Sequence, residues 1–384
     1  VSCRYCDRSF LAGKQRAADE SIETIRAERD RLRRLVASLR GLLAEVDDAR
    51  LTHHPEAEIS GAPPTTPAGH TNRGNGFAES EPIDAVNGSA AAPPFIPGYQ
   101  ILETVQAGAM SQVYRARQTS LDRIVAVKVL SAALARSPEY RMRFLREARL
   151  SAQLSHPYVI ATFDAGEVDG NPYFVMEYVE GMTIEEALAR QPAFDEPMAL
   201  RITLALAEAL KYFHARGLMH RDIKPANVIL TKEGGVKLVD LGLARSTDDP
   251  ELAAVEEGKA IGTPSYISPE QVSGDVAPDI RSDLYSLGAT LYQMVTGRVP
   301  FVGETSREVM RKHADRETPL VAPVEIDPEI SNGMNALILK MLDRNRDHRF
   351  RNPSELIHSL RGLLAEAAAR VSRSRLAGKP AVSG

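Results

Sequence analysis

From Tyr99 onward the hydrophobic rhythm of the chain changes, and the changes divide it into parts. Apolar and polar residues alternate over Tyr99–Val105, Gln112–Gln118 and Ile124–Leu130, the period of strands with one buried face. Apolar positions then recur at helical spacing over Glu139–Leu154, Pro197–Arg216 and Asp283–Val295, which predicts amphipathic helices. Between the last two, Val228–Leu230 and Val236–Leu238 read as a hairpin. A strand-rich beginning followed by a helix-rich remainder predicts an α+β, bilobal molecule. Its small lobe would cover 98–177 and its larger helical lobe 182–364.

Upstream the pattern differs. Ile22, Ile25, Arg29, Leu32, Val36, Leu39, Leu43 and Val46 alternate spacings of three and four. That is a heptad, with 22, 29, 36 and 43 at a and 25, 32, 39 and 46 at d, favouring a parallel two-stranded coiled coil over 14–50. The same stripe also suits a solitary helix folded back on the globular part. Residues 51–97 are interrupted by Pro and Gly and poor in large apolar side chains, the composition of a disordered linker. From Ala365 to Gly384 the chain is Ala-rich and then basic, and a fraying helix followed by a disordered end is expected.

Composition narrows the function. Hydrophobic residues at 43% supply a core, and a formal charge of −4 gives no basic field for a nucleic acid. No apolar run reaches the roughly 20 residues of a membrane span, and no apolar signal segment opens the sequence. Both cysteines, Cys3 and Cys6, lie in the first thirteen residues, so the rest has no disulfide, as in a reducing compartment. A cytoplasmic protein is expected. Cys3-x-x-Cys6 is half of a zinc site, which a dimer would complete, or an ordinary pair of thiols.

The chemistry-bearing residues come in order. A turn at Val105-Gln106-Ala107-Gly108-Ala109-Met110-Ser111-Gln112-Val113 joins two strands. Val125-Ala126-Val127-Lys128 follows on the next, and Glu147 sits in a helix nineteen residues later. Val175-Met176-Glu177-Tyr178-Val179 leads out of the first lobe. Then come His220-Arg221-Asp222-Ile223-Lys224-Pro225-Ala226-Asn227, Asp240-Leu241-Gly242, and Gly262-Thr263-Pro264-Ser265-Tyr266-Ile267-Ser268-Pro269-Glu270. Phosphoryl transfer needs a cradle for phosphates, a cation on them, metal ligands and a group that positions the attacking hydroxyl. This ordered set resembles the eukaryotic-type (Hanks-type) protein kinase family, most closely its bacterial serine/threonine branch, from residue 98 to about 362.

The resemblance implies roles. Asp222 would accept or orient the substrate proton, with Lys224 neutralising charge on the transferred group and marking serine/threonine specificity. Lys128 would bind the α/β-phosphates of ATP, held by Glu147. Asn227 and Asp240 would ligate Mg²⁺, for which Mn²⁺ could substitute. Gly108 and Ser111 would cover the phosphates; Val113 and Ala126 would flank adenine, and backbone groups of Glu177 and Val179 would meet its edge, behind the gatekeeper Met176. Gln106 replaces the first glycine of the family pattern, Ser111 the third, and Leu241 the usual phenylalanine. Thr263 would contact Asp222 and Lys224 at the acceptor site. Structural pairs are expected between Glu270 and Arg349, and between Asp283 and the catalytic-loop backbone.

Regulation would act through Arg221, which in such kinases pairs with a phosphate in the activation segment. From Ala244 to Ile261 only Ser246 and Thr247 can accept one, and the segment is otherwise acidic. An acid such as Glu256 or Glu257 standing in for phosphate, and a merely solvated loop, are both compatible with it. The expected function is a serine/threonine protein kinase acting on proteins and on itself, paired as a homodimer through 14–50. The alternative is a weakly active or inactive kinase-fold scaffold that signals through dimerisation and nucleotide binding.

Overall fold

The computed structural model describes residues 93–108, 110–241, 245–246, 262–274 and 276–377. The expected coiled coil at 14–50, Cys3 and Cys6, most of the 51–97 linker, Thr247 with the acidic activation segment, and 378–384 lie outside the described residues.

The first lobe is a five-stranded sheet with one main helix. β1 (Tyr99–Ala107), β2 (Ser111–Gln118) and β3 (Arg123–Leu130) form an antiparallel meander. A short helix α1 (Ala132–Ala135) and the longer α2 (Pro138–Ala152) follow. Then β4 (Thr162–Val168) and β5 (Asn171–Glu177) complete the sheet in the order β1-β2-β3-β5-β4. Strand alternation decides what each side chain meets. Val125, Val127 and Val129 of β3 bury themselves with Tyr114, Ala116 and Val175 on one face. Ala126, Lys128 and Leu130 therefore point to the other, toward α2. That helix buries Phe144, Glu147, Ala148 and Ser151, one stripe at spacings of three and four. Phe144 packs on Phe174 of β5 with ring centres 5.1 Å apart. Glu147 is thus carried into the interior by the same stripe that docks the helix.

The second lobe is helical with a small sheet at its upper edge. β6 (Gly181–Thr183), α3 (Ile184–Leu188), α4 (Glu196–His214), β7 (Leu218–Met219), β8 (Val228–Thr231), β9 (Val236–Leu238) and β10 (Arg245–Ser246) come first. β8 pairs with β6 and β9, and β7 with β10. Helices α5 (Pro269–Ser273), α6 (Ile280–Thr296), α7 (Ser306–Ala314), α8 (Pro323–Ile326), α9 (Asn332–Met341) and α10 (Pro353–Ala377) follow.

Helix starts are set by local chemistry. Asp195 caps α4 by accepting the Met198 amide at 2.7 Å, with Pro197 in the first turn. Thr183 and Glu186 form a capping box on α3. α6 is the central column: fourteen of its residues are buried, among them Asp283 and Tyr285. It ends at Gly297, whose φ of 70° is left-handed and where a Cβ would lie 2.1 Å from the Pro192 carbonyl oxygen. The main core gathers α4, α6, α9 and α10 around Leu206, Phe213, Leu287, Ile338 and Leu360. α10 runs on through Ala377, past the boundary expected at 364. No helix among the described residues is long and apolar enough to cross a membrane.

Candidate active site

The site lies where the two lobes face each other, and each side contributes a rigid piece. From the first lobe comes Lys128 on β3. Its Nζ lies 2.6 Å from Glu147 Oε1 and 3.2 Å from Asp240 Oδ1, and 5.5 Å from the centre of the Phe174 ring. Burial disfavours the charge on Lys128, but the Glu147 and Asp240 carboxylates outweigh it and raise its pKa to about 12. Glu147 shares that single ammonium with a second carboxylate. Burial, chiefly, pushes it up to about 7, with Lys128 pulling it down and Asp240 adding to the rise.

From the second lobe comes the loop between β7 and a 3₁₀ turn at Pro225–Asn227. Asp283, 1% exposed within α6, accepts the backbone amides of His220 at 2.8 Å and Arg221 at 2.7 Å. This holds Arg221 at φ 69°, a left-handed conformation that a side chain adopts only when its surroundings impose it. The Asp222 amide in turn lies 3.3 Å from His220 Nδ1. Burial lowers the pKa of His220 against the pull of Asp283 and Asp222, so the ring stays neutral and can accept that proton.

The Asp222 carboxylate is surrounded by donors. Thr263 donates its hydroxyl to Oδ1 at 2.6 Å, Lys224 Nζ lies 2.7 Å from Oδ2, and Asn227 Nδ2 donates to Oδ2 at 3.0 Å. Lys224 also donates to Thr263 Oγ1 at 2.8 Å. Thr263 enters from the segment that opens on Gly262 (φ 139°) and turns through Pro264–Tyr266. Asp240 stands at φ 63°, directly after Val239, whose amide donates to the Asn227 carbonyl at 2.9 Å. That backbone bond ties the Asn227 and Asp240 segments side by side.

A cleft of about 270 Å³ joins these groups, lined by Ser111, Lys128, Glu147, Asp222, Lys224 and Asp240. Gly108 closes the turn above it by donating its own amide to Ser111 O at 3.0 Å. Gln106 sits opposite Val113 in the β1–β2 register. Val113 is the β-partner of Lys128, and Ala126 that of Met176, so both flank the Lys128 side of the sheet. The Glu177 amide is committed to the Ala161 carbonyl at 2.8 Å and its carboxylate to Lys237 at 2.8 Å.

Below the cleft, Arg349 and Glu270 meet as a bidentate pair at 2.8 and 2.9 Å, with the Ser282 hydroxyl on Glu270 at 2.6 Å. Burial opposes the Glu270 charge, but Arg349 and Ser282 prevail and hold its carboxyl below its usual value.

Sequence reasoning passed over Tyr140 and Arg143, which also line the cleft. They precede Glu147 by seven and four residues, so helical spacing from Glu147 would have found them. It named His220 in its motif without a role, and passed over Gln271 (whose Nε2 lies 3.5 Å from the Arg221 carbonyl) and Ser282.

The family model of the protein kinase domain matches residues 99–360. The chain belongs to the protein kinase family. A probable serine/threonine-protein kinase of Streptomyces coelicolor is 44% identical over 262 residues, 67% of this chain and 38% of that protein. The serine/threonine-protein kinase PknB of Mycolicibacterium smegmatis is 39% identical, over 67% of this chain and 41% of its own length. The chain thus spans about two-fifths of the length of these curated relatives. The crystal structure of the Mycobacterium tuberculosis PknI kinase domain superposes with a TM-score of 0.54 at 30% identity, covering 71% of this chain and 98% of that domain. The bilobal protein kinase fold and the bacterial serine/threonine kinase kinship both stand on these matches.

Proposed function

We propose that the chain is an active, ATP-dependent serine/threonine protein kinase. The observation that carries this reading is the convergence on Asp222 of Thr263, Lys224 and Asn227, on the same cleft as Lys128 and Asp240. In the transfer, a substrate hydroxyl oxygen forms a bond to the γ-phosphorus as the bond to the ADP oxygen breaks. The hydroxyl proton goes to the Asp222 carboxylate. Lys224, beside Asp222, offsets negative charge on the moving phosphoryl group, and Lys128 steadies the α/β-phosphates. The turn at Gly108–Ser111 covers the phosphates, and the chain at Glu177–Val179 meets the adenine edge.

The metal implied by the family fits the donors present. Asn227 spends its Nδ2 on Asp222 O and Oδ2, which orients its Oδ1 as an oxygen ligand, and Asp240 brings a half-exposed carboxylate. Such an oxygen-only set suits Mg²⁺, or Mn²⁺ in its place. Bound there, the ion would neutralise charge on the phosphates.

Protein substrates follow from the acceptor turn at Thr263. The heptad at 22–46 supports homodimers, in which one kinase domain would phosphorylate its partner at high effective concentration. Use of ATP and confinement of cysteine to positions 3 and 6 support a cytoplasmic, reducing setting.

Incubating the full chain with γ-labelled ATP, Mg²⁺ and a generic basic protein tests the reading. Label should appear on Ser and Thr of the protein and of the chain, and disappear in Asp222→Asn. No transfer above that variant would reject the kinase in favour of the scaffold.

A further inference from the structure

Two side chains of α6, two residues apart, serve opposite ends of the site. Asp283 holds the catalytic loop by its amides. Tyr285, fully buried, meets Nδ1 of His313 on α7 with its hydroxyl at 2.8 Å. His313 is itself 0% exposed. Its ring stands edge-on to Phe301 with centres 4.8 Å apart and to Tyr285 at 5.7 Å. These contacts fix the ring plane and aim its far nitrogen.

That nitrogen, Nε2, is buried without a hydrogen-bond partner, where α7 packs against the turn Pro264–Tyr266 beside the Ser265 backbone. Ser265 is the middle residue of the turn Pro264–Tyr266, which the Tyr266 amide closes on the Thr263 carbonyl at 3.0 Å. Two residues earlier stands Thr263, with its hydroxyl on Asp222. A line of buried contacts therefore runs from α6 through Tyr285 and His313 to the turn that carries Thr263. With a carbonyl before Nε2 and a hydroxyl at Nδ1, the neutral ring carries its proton on Nε2 and accepts the Tyr285 proton at Nδ1. A buried N–H without an acceptor is costly, and a small shift of the turn would supply one.

We propose that His313 is a positioning residue for the protein acceptor, its Nε2–H closing on the Ser265 carbonyl when an acceptor chain settles against the Thr263–Tyr266 turn. The bond fixes Thr263 over Asp222. One helix then registers both halves of the reaction, the catalytic loop through Asp283 and the acceptor turn through Tyr285.

This rests on the kinase reading, and the test separates the two. In the full chain, His313→Gln keeps an amide donor near the Nε2 position, whereas His313→Asn keeps only a group near Nδ1. His313→Asn should raise the KM for a protein acceptor roughly fivefold, the worth of one neutral hydrogen bond, with the KM for ATP unchanged, while His313→Gln stays within about twofold. Tyr285→Phe, which keeps the packing but releases His313, should raise the acceptor KM in the same selective way, and it decides the matter if His313→Asn fails to fold. Hydrogen exchange at the Ser265, Tyr266 and Ile267 amides should quicken in His313→Asn while His220 and Arg221 stay protected. An acceptor KM equal to wild type in the folded variants, or one that rises together with the KM for ATP, overturns the proposal. A wild-type chain that transfers no phosphate would sink the kinase reading instead, and the exchange comparison would still judge the turn.

Discussion

Asp283 holds Arg221 by its backbone amide at 2.7 Å across 62 residues of sequence, and Arg221 at that point has φ 69°. The strain and the bond belong together, since a left-handed non-glycine residue costs on the order of 1–3 kcal/mol and persists only where neighbours over-determine it. Asp283→Asn leaves one acceptor oxygen for two amides and turns an NH₂ toward a second donor. Losing one buried bond of this kind is worth about 1–3 kcal/mol, so transfer should slow roughly ten- to a hundredfold. Burial pushes the Asp283 carboxyl up against the pull of His220 and the two amides, so a neutral side chain there relieves a desolvation cost. The melting temperature should therefore change little. Full activity in a folded Asp283→Asn protein would show that the brace does not set the loop.

How much of this was legible beforehand differs from residue to residue. β1, β2 and β3 begin and end within two residues of the alternating runs that announced them, because alternation at 99–130 has one reading once a core covers one face. The pairs Lys128–Glu147, Thr263–Asp222 and Glu270–Arg349 could be expected because their motifs stand in a familiar order. His313 and Tyr285 could not. Each looks like an ordinary residue of an amphipathic helix, and only the packing of α7 against α6 makes them partners. α10 continues to Ala377 over the stretch where a fraying helix was expected: Ala365, Ala367, Ala368 and Ala369 carry it past Leu364, and Ala has the highest helix propensity whether or not a core requires the helix.

Glu270 and Arg349 are both nearly inaccessible, at 6% and 0% side-chain exposure, and Arg349 also donates to the Asp343 carbonyl at 2.6 Å. Removing one partner strands a buried charge. Arg349→Met and Glu270→Gln should each destabilise the folded protein by about 3–5 kcal/mol in denaturant titrations, with the double variant Glu270→Gln/Arg349→Met losing less than the sum. Glu270 has a folded pKa below its unfolded one. Its contribution is therefore present above the unfolded value of 4.5 and is lost as pH falls through the lower folded value. The gap between wild type and Glu270→Gln should narrow in acid. A gap that widened there would contradict the assignment.

Thr263 donates to Asp222 and accepts from Lys224 through one oxygen atom. Thr263→Ser keeps that oxygen, while Thr263→Val keeps the shape and removes it. Serine should retain activity within about threefold, and valine should lose roughly ten- to a hundredfold in kcat, the span of one or two hydrogen bonds to charged groups. Equal rates for the two variants would mean that the methyl group, and not the hydroxyl, is what the site uses.

Glu147 offers a test that needs no substrate. Its carboxyl is pushed from 4.5 up to about 7, by burial first, with Lys128 opposing and Asp240 adding to the rise. A carboxyl whose folded pKa is raised stabilises the fold fully below its unfolded pKa, and that contribution is lost as pH climbs through the folded value. Lys128, raised from 10.5 to about 12, contributes below 10.5 and loses that contribution only as pH rises through 12, so of this pair only Glu147 titrates near neutrality. Without nucleotide or metal, wild-type stability should fall between pH 5 and 8 by at most about 1.4 kcal/mol per pH unit from this group. In Glu147→Gln that component should vanish. In Asp240→Asn, where one of the two raising influences is gone, the decline should begin at lower pH. Identical pH profiles for wild type and Glu147→Gln would mean that the Lys128 ammonium, shared between two carboxylates, does not leave Glu147 short of compensation.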